Sequence, residues 1–253
     1  MKTIILAAGQ GTRLRPLTDH QPKCMVEYQN KTIIDWIIAS QKACGIDDIA
    51  IVTGYKESVL KQHLKDQDIR FFRNAQFEQT NMVATLFNAQ DFMDDDLIIS
   101  YADIIYHNDV LQQLIDMPAD FAVTVDKDWQ KLWSLRMDNP LSDAETLKIK
   151  QGKIIELGKK PNSLRDIEGQ YIGLIKISKN ILPKIIATYH GLNKNCLYDG
   201  KDFDNIYMTS FIQWIIDHVA DIDVEPAFIN GGWLEIDTLD DLKQYQQHKI
   251  IIQ

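Results

Sequence analysis

Residues 1–23, MKTIILAAGQGTRLRPLTDHQPK, carry the strongest structural signal in this sequence. Within them, Lys2–Ala7 is rich in isoleucine and has no charge after Lys2, a pattern typical of a buried parallel strand. The strand is followed by Gly9 and Gly11, whose missing Cβ atoms let successive backbone N–H groups turn inward and form a concavity for an oxyanion. The sequence therefore predicts a strand that leads directly into a phosphate-binding loop.

Basic residues follow this loop and distinguish it from other phosphate-binding loops. Arg13, Arg15 and Lys23 would place three positive charges around the predicted concavity. The Walker loop requires G-x-x-x-x-G-K-[ST], which is absent, and the dinucleotide fingerprint requires a small residue where this chain has Leu14. A different class of phosphate-binding loop is therefore indicated.

The segment LAAGQGTRLRPLT, followed by PKCMVEY, resembles the signature L-A-A-G-x-G-T/S-R-L-x-P-L-T…P-K of nucleotidyltransferases. Enzymes of this family activate phosphorylated small molecules with a nucleoside triphosphate. The resemblance implies that Arg13 and Lys23 are catalytic and stabilise the charge that grows on the departing pyrophosphate. It also implies a set of nucleotide-binding residues around the loop: Leu6, Ala7, Ala8, Gly9, Gly11, Thr12, Arg13 and, further along the chain, Ala102.

Length and composition are those of an ordinary globular protein. A chain of 253 residues can form one large α/β domain, and 45% hydrophobic with 25% charged residues are typical globular values. The sequence shows neither a run of about 18 apolar residues nor a signal peptide, so we expect a soluble cytoplasmic protein without a membrane partner. The three cysteines lack C-x-x-C spacing, which indicates neither a disulfide framework nor a zinc site.

The net charge of −9 argues against a nucleic-acid partner. The charge is unevenly distributed, because residues 1–23 carry four basic side chains against one acidic residue, Asp19. A local positive field in an acidic protein attracts an anionic ligand to that part of the chain. The charge pattern therefore favours a small anionic substrate such as a nucleotide.

The spacing of apolar residues after the first strand predicts alternating helices and strands: helices at Thr32–Cys44 and Lys56–Lys65, and strands at Ile49–Thr53 and Ile69–Phe72. This order predicts an α/β fold of the Rossmann-like nucleotidyltransferase type, with a mostly parallel central sheet sandwiched by helices and a small acceptor-binding subregion. Ligands of such sheets bind at the carboxyl ends of the strands, where the glycine loop falls. We expect one domain, with a nucleotide-binding half at about 1–118 and an acceptor-binding half at about 119–253.

Two aspartates are candidate metal ligands. Asp103 comes directly after the predicted strand Leu97–Ser100, where a carboxylate can hold Mg²⁺ against a triphosphate, and its SYADI segment matches the metal aspartate of the family. Asp237, in the segment EIDT, resembles the second metal ligand of the cytidylyltransferases, with Glu235 as either a further ligand or a salt-bridge partner. The run Asp94–Asp96 indicates an exposed acidic turn instead, because consecutive side chains of a strand point to different sides.

A polar segment precedes the predicted helix Val83–Met93 and is a candidate for binding the base. Free N–H groups at the start of a helix can hold a phosphate, and amide side chains can hydrogen-bond to the edge of a base. Asn81 and Thr85 match positions used by cytidylyltransferases for phosphocholine and aminoethylphosphonate, which implies contacts to cytosine or to the acceptor. On the pattern alone, Thr80 or Asn81 could equally be a helix cap.

An aromatic and basic segment is a candidate for acceptor recognition. Trp129, Trp133 and Arg136 lie in a stretch that we interpret as irregular, and such side chains suit an acceptor that carries a cation or a carboxylate. Packing of the two tryptophans in the core would explain the pattern equally well. Lys159 and Lys160, after a predicted hairpin, resemble the second basic motif of the family, in which one lysine contacts the acceptor phosphate. The pattern does not distinguish the two lysines.

The segments SYADI, LWSLRM, DAETLK and YMTSF resemble those of cytidylyltransferases that transfer CMP from CTP to L-glutamine phosphate for capsule phosphoramidate modification. This resemblance implies a Mg²⁺-dependent reaction that yields CDP-L-glutamine. In it, Arg136 would bind the carboxylate of the acceptor, and Asp143 or Glu145 its ammonium group. Three other interpretations remain open: a cytidylyltransferase for phosphocholine or 2-aminoethylphosphonate, a sugar-1-phosphate nucleotidyltransferase, and a non-catalytic nucleotide-sensing homologue. A homodimer is compatible with all of them.

Overall fold

One seven-stranded sheet forms the centre of the molecule in a computed structural model, which describes residues 1–248 and 250. In chain order the strands are β1 Lys2–Ala7, β2 Glu27–Tyr28, β3 Lys31–Thr32, β4 Asp48–Thr53, β5 Ile69–Arg73, β6 Leu97–Tyr101, β7 Ile104–Tyr106, β8 Phe121–Asp126, β9 Leu147–Lys150, β10 Lys153–Leu157, β11 Gln170–Ile177, β12 Glu225–Ile229 and β13 Trp233–Glu235. The α-helices are α1 Ile33–Ala43, α2 Glu57–His63, α3 Met82–Phe87, α4 Asn108–Ile115, α5 Trp129–Arg136, α6 Leu182–Gly191, α7 Met208–His218 and α8 Leu239–Gln247. Within the described chain, no helix combines the length and the apolar character needed to cross a membrane.

The strand order of the central sheet is β12-β8-β11-β6-β1-β4-β5. Neighbouring strands are parallel, except that β11 runs antiparallel to both β6 and β8. The prediction of a mostly parallel α/β sheet is therefore confirmed. Because β11 belongs to the predicted acceptor half and β6 to the predicted nucleotide half, the sheet is continuous across the two halves.

Helices cover both faces of the sheet. Successive side chains of each strand point to opposite faces, and apolar side chains on both faces are buried against helices. In β1, Ile5 and Ala7 pack into one hydrophobic core with the apolar sides of α1, α4 and α8. Ile4 and Leu6 pack into the other core with α3, α6 and α7. Strand β1 is thus enclosed on both faces and paired on both edges, which anchors the glycine loop at its carboxyl end.

The aromatic segment that we interpreted as irregular is helix α5, so that interpretation is wrong. Trp129, Leu132 and Trp133 are buried and lie at the i, i+3, i+4 spacing of one helical face. The predicted helix Val83–Met93 is also shorter than expected, because it divides into α3 and a 3₁₀ turn at Gln90–Phe92.

The two predicted metal aspartates are brought together by a small antiparallel sheet. Strand β13 pairs with β7, with Glu235 opposite Ile104, and the N–H of Ile236 donates to the carbonyl of Asp103 at 2.8 Å. Asp237 then precedes Thr238, which begins α8 in a capping box. Pairing between β7 and β13 therefore places Asp103 and Asp237 side by side.

Candidate active site

A cleft of about 300 Å³ lies at the carboxyl end of β1, between the glycine loop and the start of α3. The residues predicted to bind the nucleotide all line it: Leu6, Ala7, Ala8, Gly9, Gly11, Thr12, Arg13, Asn81, Thr85 and Ala102. Lys23, Asp103 and Asp237 line the same cleft. Residues that are far apart in the sequence thus surround one cavity of a size that suits a small ligand.

The conformation of the glycine loop requires the absence of a side chain at Gly11. Its φ of +63° is left-handed, and a Cβ there would lie 2.8 Å from the Cβ of Lys23. At Gly9 a Cβ would meet nothing within 4 Å, so the backbone borders open space. The Thr18 hydroxyl donates to the Gly11 carbonyl at 2.8 Å and holds the loop in place. The loop therefore presents its backbone to the cleft, as a phosphate-binding loop requires.

The ammonium group of Lys23 lies between the two predicted metal ligands. Its Nζ is 2.7 Å from Asp103 Oδ2 and 2.7 Å from Asp237 Oδ1. The guanidinium of Arg13 pairs with the second oxygen of Asp237. Burial opposes the charge on the ammonium, but the two carboxylates outweigh burial and raise the pKa of Lys23 above its ordinary value. Lys23 is therefore a fixed positive charge where the cleft meets the two aspartates.

The oxygen atoms around this ammonium fit a divalent cation. Asp103 Oδ1 is buried and has no hydrogen-bond partner among the described residues, and such an oxygen is costly unless a ligand compensates it. Carboxylate oxygens are donors that suit Mg²⁺. In residues 1–248 and 250, no group of three or more His, Cys, Asp or Glu side chains is placed to hold an ion. A cation here would therefore combine the two carboxylates with oxygens from substrate or water.

The start of α3 borders the cleft with polar groups. Asn81 caps the helix, since its Oδ1 accepts the N–H of Met82 at 2.8 Å. The hydroxyl of Thr85 donates to the carbonyl of Asn81 and accepts from Nδ2 of Asn74, both at 3.0 Å. For Asn81, helix capping and a place in the cleft wall are therefore not alternatives, because the structure shows both.

A second cavity of about 210 Å³ adjoins the cleft and shares Met82 and Tyr101 with it. Three carboxylates line it, those of Asp143, Glu145 and Glu235, whereas no described lysine, arginine or histidine does. The remaining lining is largely aromatic and polar: Ile104, Trp133, Gln170, Tyr171, Ile172, Gly173, Tyr207, Met208, Thr209 and Trp233. The wall chemistry therefore suits a ligand that carries a positive charge.

Buried polar groups belong to this second cavity. Burial, with a further contribution from Asp143, raises the pKa of Glu145 to about 7. The Nε1 of Trp133 and the hydroxyl of Tyr171 are buried without a hydrogen-bond partner in the described part of the chain. Burial also raises the pKa of Tyr171, so its phenol is neutral. Buried polar atoms of this kind are satisfied when a further polar group approaches them.

The predicted acceptor residues are not all found in this cavity. Trp133 and Glu145 line it, but Trp129 does not: it is 2% exposed and packs edge-on against Trp133, with ring centroids 5.9 Å apart. Lys159 and Lys160 follow β10 and lie outside both linings. The nearest structural link is Gly158, where a Cβ would lie 2.5 Å from Cβ of Thr209 in the cavity wall.

Arg136 is also placed differently from the expectation of a direct acceptor contact. Its side chain is 4% exposed, and its guanidinium pairs with Glu235 and Asp241 instead of lining the cavity. Glu235 thereby faces Arg136 as a salt-bridge partner, which was one of its two expected roles. Burial outweighs the opposite effect of Arg136 and raises the pKa of Glu235 above its ordinary value. A metal contact of Glu235 stays a prediction.

Several cavity residues were not predicted as site residues, although Tyr101 lies in the quoted segment SYADI and Tyr207 and Thr209 lie in YMTSF: Phe77, Tyr101, Gln170, Tyr171, Tyr207 and Thr209. One signal was available in β11. Gly173 interrupts this strand with a φ of +86°, and a Cβ there would lie 2.4 Å from the ring of Tyr101. A glycine inside a strand often marks a close approach of this kind.

Comparison of the sequence with known proteins identifies relatives that are nucleotidyltransferases. The sequence matches the family model of the MobA-like NTP transferase domain over residues 3–161. It is 52% identical over 250 residues to the CTP:phosphoglutamine cytidylyltransferase of Campylobacter jejuni subsp. jejuni serotype O:2, an alignment that covers 96% of this chain and 98% of that protein. The resemblance to nucleotidyltransferases inferred from the glycine loop is confirmed.

Two solved structures are similar over almost their whole length. The inositol-1-phosphate CTP transferase from T. maritima has a TM-score of 0.76 at 16% identity, and the match covers 100% of this chain and 97% of that one. The CTP:phosphocholine cytidylyltransferase from Streptococcus pneumoniae has a TM-score of 0.72 at 21% identity, with 98% and 99% covered. At these identities the similarity establishes the fold alone.

Proposed function

Because the chain belongs to the MobA-like NTP transferase domain family and is a nucleotidyltransferase, we propose that it transfers CMP from CTP to L-glutamine phosphate and releases pyrophosphate. The observation that carries this proposal is the 52% identity to a CTP:phosphoglutamine cytidylyltransferase over nearly the whole of both chains. The cavity beside the nucleotide cleft supports it, because its carboxylates suit the ammonium group of an amino-acid acceptor. The product would be CDP-L-glutamine, for use in capsule phosphoramidate modification.

In this reaction an oxygen of the acceptor phosphate attacks the α-phosphorus of CTP. The bond from that phosphorus to the bridging oxygen breaks, and pyrophosphate leaves. A phosphate oxygen is already anionic near neutral pH, so the protein has to position the reactants and neutralise charge. We assign the positioning of the triphosphate to the backbone of the glycine loop. Arg13 and Lys23 neutralise the charge on the departing pyrophosphate, and their place at the edge of the cleft supports that role.

We further propose that Asp103 and Asp237 hold Mg²⁺ when CTP is bound. The ion would supply a Lewis acid for the phosphate oxygens. The proposal is supported by the unpartnered Asp103 Oδ1 and by the contact of both carboxylates with one cationic atom, Nζ of Lys23. Lys23 is able to stabilise these carboxylates in the absence of another cation.

We assign the contacts to the cytidine part of CTP and to the acceptor phosphate from the positions of residues around the two cavities. Asn81 and Thr85 would contact the cytidine part of CTP, since both line the cleft opposite the glycine loop. Lys159 or Lys160 would meet the acceptor phosphate, since Gly158 packs against Thr209 at the wall of the second cavity. We place the reaction in the cytoplasm, and a homodimer stays a prediction.

The direct test of this function is pyrophosphate release in the presence of Mg²⁺. CTP, UTP, dTTP, ATP and GTP are each combined with L-glutamine phosphate, phosphocholine, 2-aminoethylphosphonate and glucose 1-phosphate. We expect turnover with CTP and L-glutamine phosphate. Turnover with CTP and another acceptor would contradict the acceptor assignment and keep nucleotidyl transfer. Nucleotide binding without turnover of any pair would favour a nucleotide-sensing protein.

Replacing Glu145 by Gln is expected to raise the KM for L-glutamine phosphate by about tenfold or more at pH 8, since a hydrogen bond to a charged group contributes about 1.5–3 kcal/mol. In the wild type this KM should fall as the pH rises through about 7, the value to which burial raises the pKa of Glu145. The reason is that the ionised carboxylate binds ammonium better than the neutral acid. Steady-state kinetics between pH 6 and 8, on the order of one unit to either side of that pKa, measure both effects.

The acceptor phosphate titrates with either enzyme, so the difference between wild type and variant isolates the contribution of Glu145. Glu27→Gln is a matched control, because Glu27 is an exposed glutamate in β2 that lines neither the cleft nor the second cavity. Equal KM values and equal pH profiles for Glu145→Gln and the wild type would show that Glu145 does not bind the acceptor.

A further inference from the structure

Arg136 is the centre of a buried network that joins the two cavities. Its Nε donates to Asp241 Oδ1 at 2.9 Å, and its Nη1 donates to Glu235. The guanidinium carbon lies 5.3 Å from the ring centroid of Trp133, a third group that limits its movement. The side chains of Arg136 and Asp241 are 4% and 3% exposed. Arg136 thus holds two carboxylates from different elements in fixed positions.

The first arm of the network leads to the nucleotide cleft. The second oxygen of Asp241 accepts the N–H of Asp237 at 2.9 Å and the N–H of Thr238 at 2.8 Å. Asp241 therefore fixes the backbone of Asp237, whose carboxylate pairs with Lys23 and Arg13 in the cleft. A shift of Asp241 would move the attachment point of that carboxylate.

The second arm leads to the acceptor cavity. Glu235 ends β13 and lines the second cavity, two residues before Asp237. The hydroxyl of Tyr245, in α8, donates to the backbone carbonyl of Glu235 at 2.8 Å. The segment from the end of β13 to the start of α8 thus gives Glu235 to the second cavity and Asp237 to the cleft. Arg136 pairs with Glu235 before the turn and with Asp241 after it.

We propose that Arg136 is a positioning residue that fixes Asp237, through Asp241, and Glu235, by direct pairing, so that the nucleotide cleft and the acceptor cavity keep one relative arrangement. This inference rests on the proposed function, because it assigns to Asp237 a contact with the cation that accompanies CTP. A guanidinium suits the role, since its planar fork donates from two nitrogens at fixed angles. A lysine has one nitrogen on a flexible stem and cannot reproduce both contacts in the same geometry.

The test compares the wild type with Arg136→Lys, which keeps the charge. Calorimetric titration with CTP is done once with Mg²⁺ and once with EDTA. We expect Arg136→Lys to weaken CTP binding by about tenfold or more in Mg²⁺, as is typical when a residue that orients a metal ligand is changed. Binding in EDTA should change by less than about twofold, because without the ion the carboxylate of Asp237 does not contact the nucleotide, and Lys23 keeps its second carboxylate partner, Asp103. In turnover assays the variant should also raise the KM for L-glutamine phosphate.

A merely structural role would weaken CTP binding equally with Mg²⁺ and with EDTA, and that result would overturn the inference. Unchanged binding in both conditions would do the same. Arg165→Lys is the matched control, because Arg165 is exposed and lines neither cavity. If thermal melting shows that Arg136→Lys is unfolded, Asp241→Asn tests the first arm and should show the same loss confined to Mg²⁺. A wild type that binds no CTP in Mg²⁺ would overturn the proposed function itself, and with it this inference.

Discussion

Replacement of Asp237 by Asn is expected to lower kcat by at least about 10³-fold, which corresponds to about 4 kcal/mol of transition-state stabilisation. The substitution keeps the shape of the side chain but removes its charge. Asp237 pairs with both Lys23 and Arg13, so the neutral amide would leave two cations without their shared partner. It would also remove one of the two carboxylates proposed to hold Mg²⁺. Steady-state pyrophosphate release with CTP and L-glutamine phosphate measures the effect.

Asp240→Asn is the matched control for this prediction. Asp240 is exposed in the first turn of α8, three residues from Asp237, and lines neither cavity. We expect its kcat to stay within about twofold of the wild type, as for most surface substitutions. A loss of less than about tenfold in Asp237→Asn, about 1.4 kcal/mol, would contradict the role of Asp237 in the reaction. Circular dichroism and thermal melting confirm that both variants are folded.

The part of the cleft formed by the glycine loop was predictable because its information is local. The strand Lys2–Ala7 and the glycines after it lie within one short segment, and the observed bounds of β1 are those predicted. The alternation of helices and strands also identified the fold, since a parallel sheet follows from that order. The place of Asp103 in the cleft was predictable because it lies just after a strand, at the edge of the sheet where ligands bind.

The second cavity and its surroundings were less predictable because their contacts are long-range. Arg136 pairs with partners 99 and 105 residues away in the sequence, and no local pattern indicates which carboxylates those are. From the residue type alone, a guanidinium that binds a ligand and one that is buried in an ion pair are indistinguishable. Helix α5 was missed for a related reason: eight residues contain too few turns to establish a helical period against a background of aromatic side chains.

The two cavities also adjoin through residues from separate elements, which no single segment of the sequence indicates. Met82 and Tyr101 line both, and the turn from β13 to α8 supplies Glu235 to one and Asp237 to the other. A ligand in the second cavity would therefore lie beside a ligand in the cleft. That proximity is what an in-line displacement needs, since catalysis of such a reaction consists of positioning the two reactants and stabilising charge.

Replacement of Gly11 by Ala is expected to lower kcat/KM for CTP by about 100-fold or more, equivalent to about 2.7 kcal/mol. Two effects combine. The left-handed φ of +63° strains a residue with a side chain, by roughly 1–2 kcal/mol. The new Cβ would also lie 2.8 Å from Cβ and 3.1 Å from Cγ of Lys23, so the stem of Lys23 has to move. That movement would displace the ammonium from Asp103 and Asp237 and disturb the loop proposed to hold the triphosphate.

Gly45→Ala separates the strain from the clash. Gly45 follows α1 with a φ of +78°, and a Cβ there would meet nothing within 4 Å. This control should lose about 1 kcal/mol of unfolding free energy in urea and keep the kcat/KM of the wild type, because the strain is the same in kind but no catalytic side chain moves. If Gly11→Ala lost only stability, with kcat/KM within about threefold of the wild type, the close packing of Gly11 against Lys23 would have no part in catalysis. A loss of kcat/KM confined to Gly11→Ala would show that the loop acts by placing Lys23 as well as by presenting its own backbone.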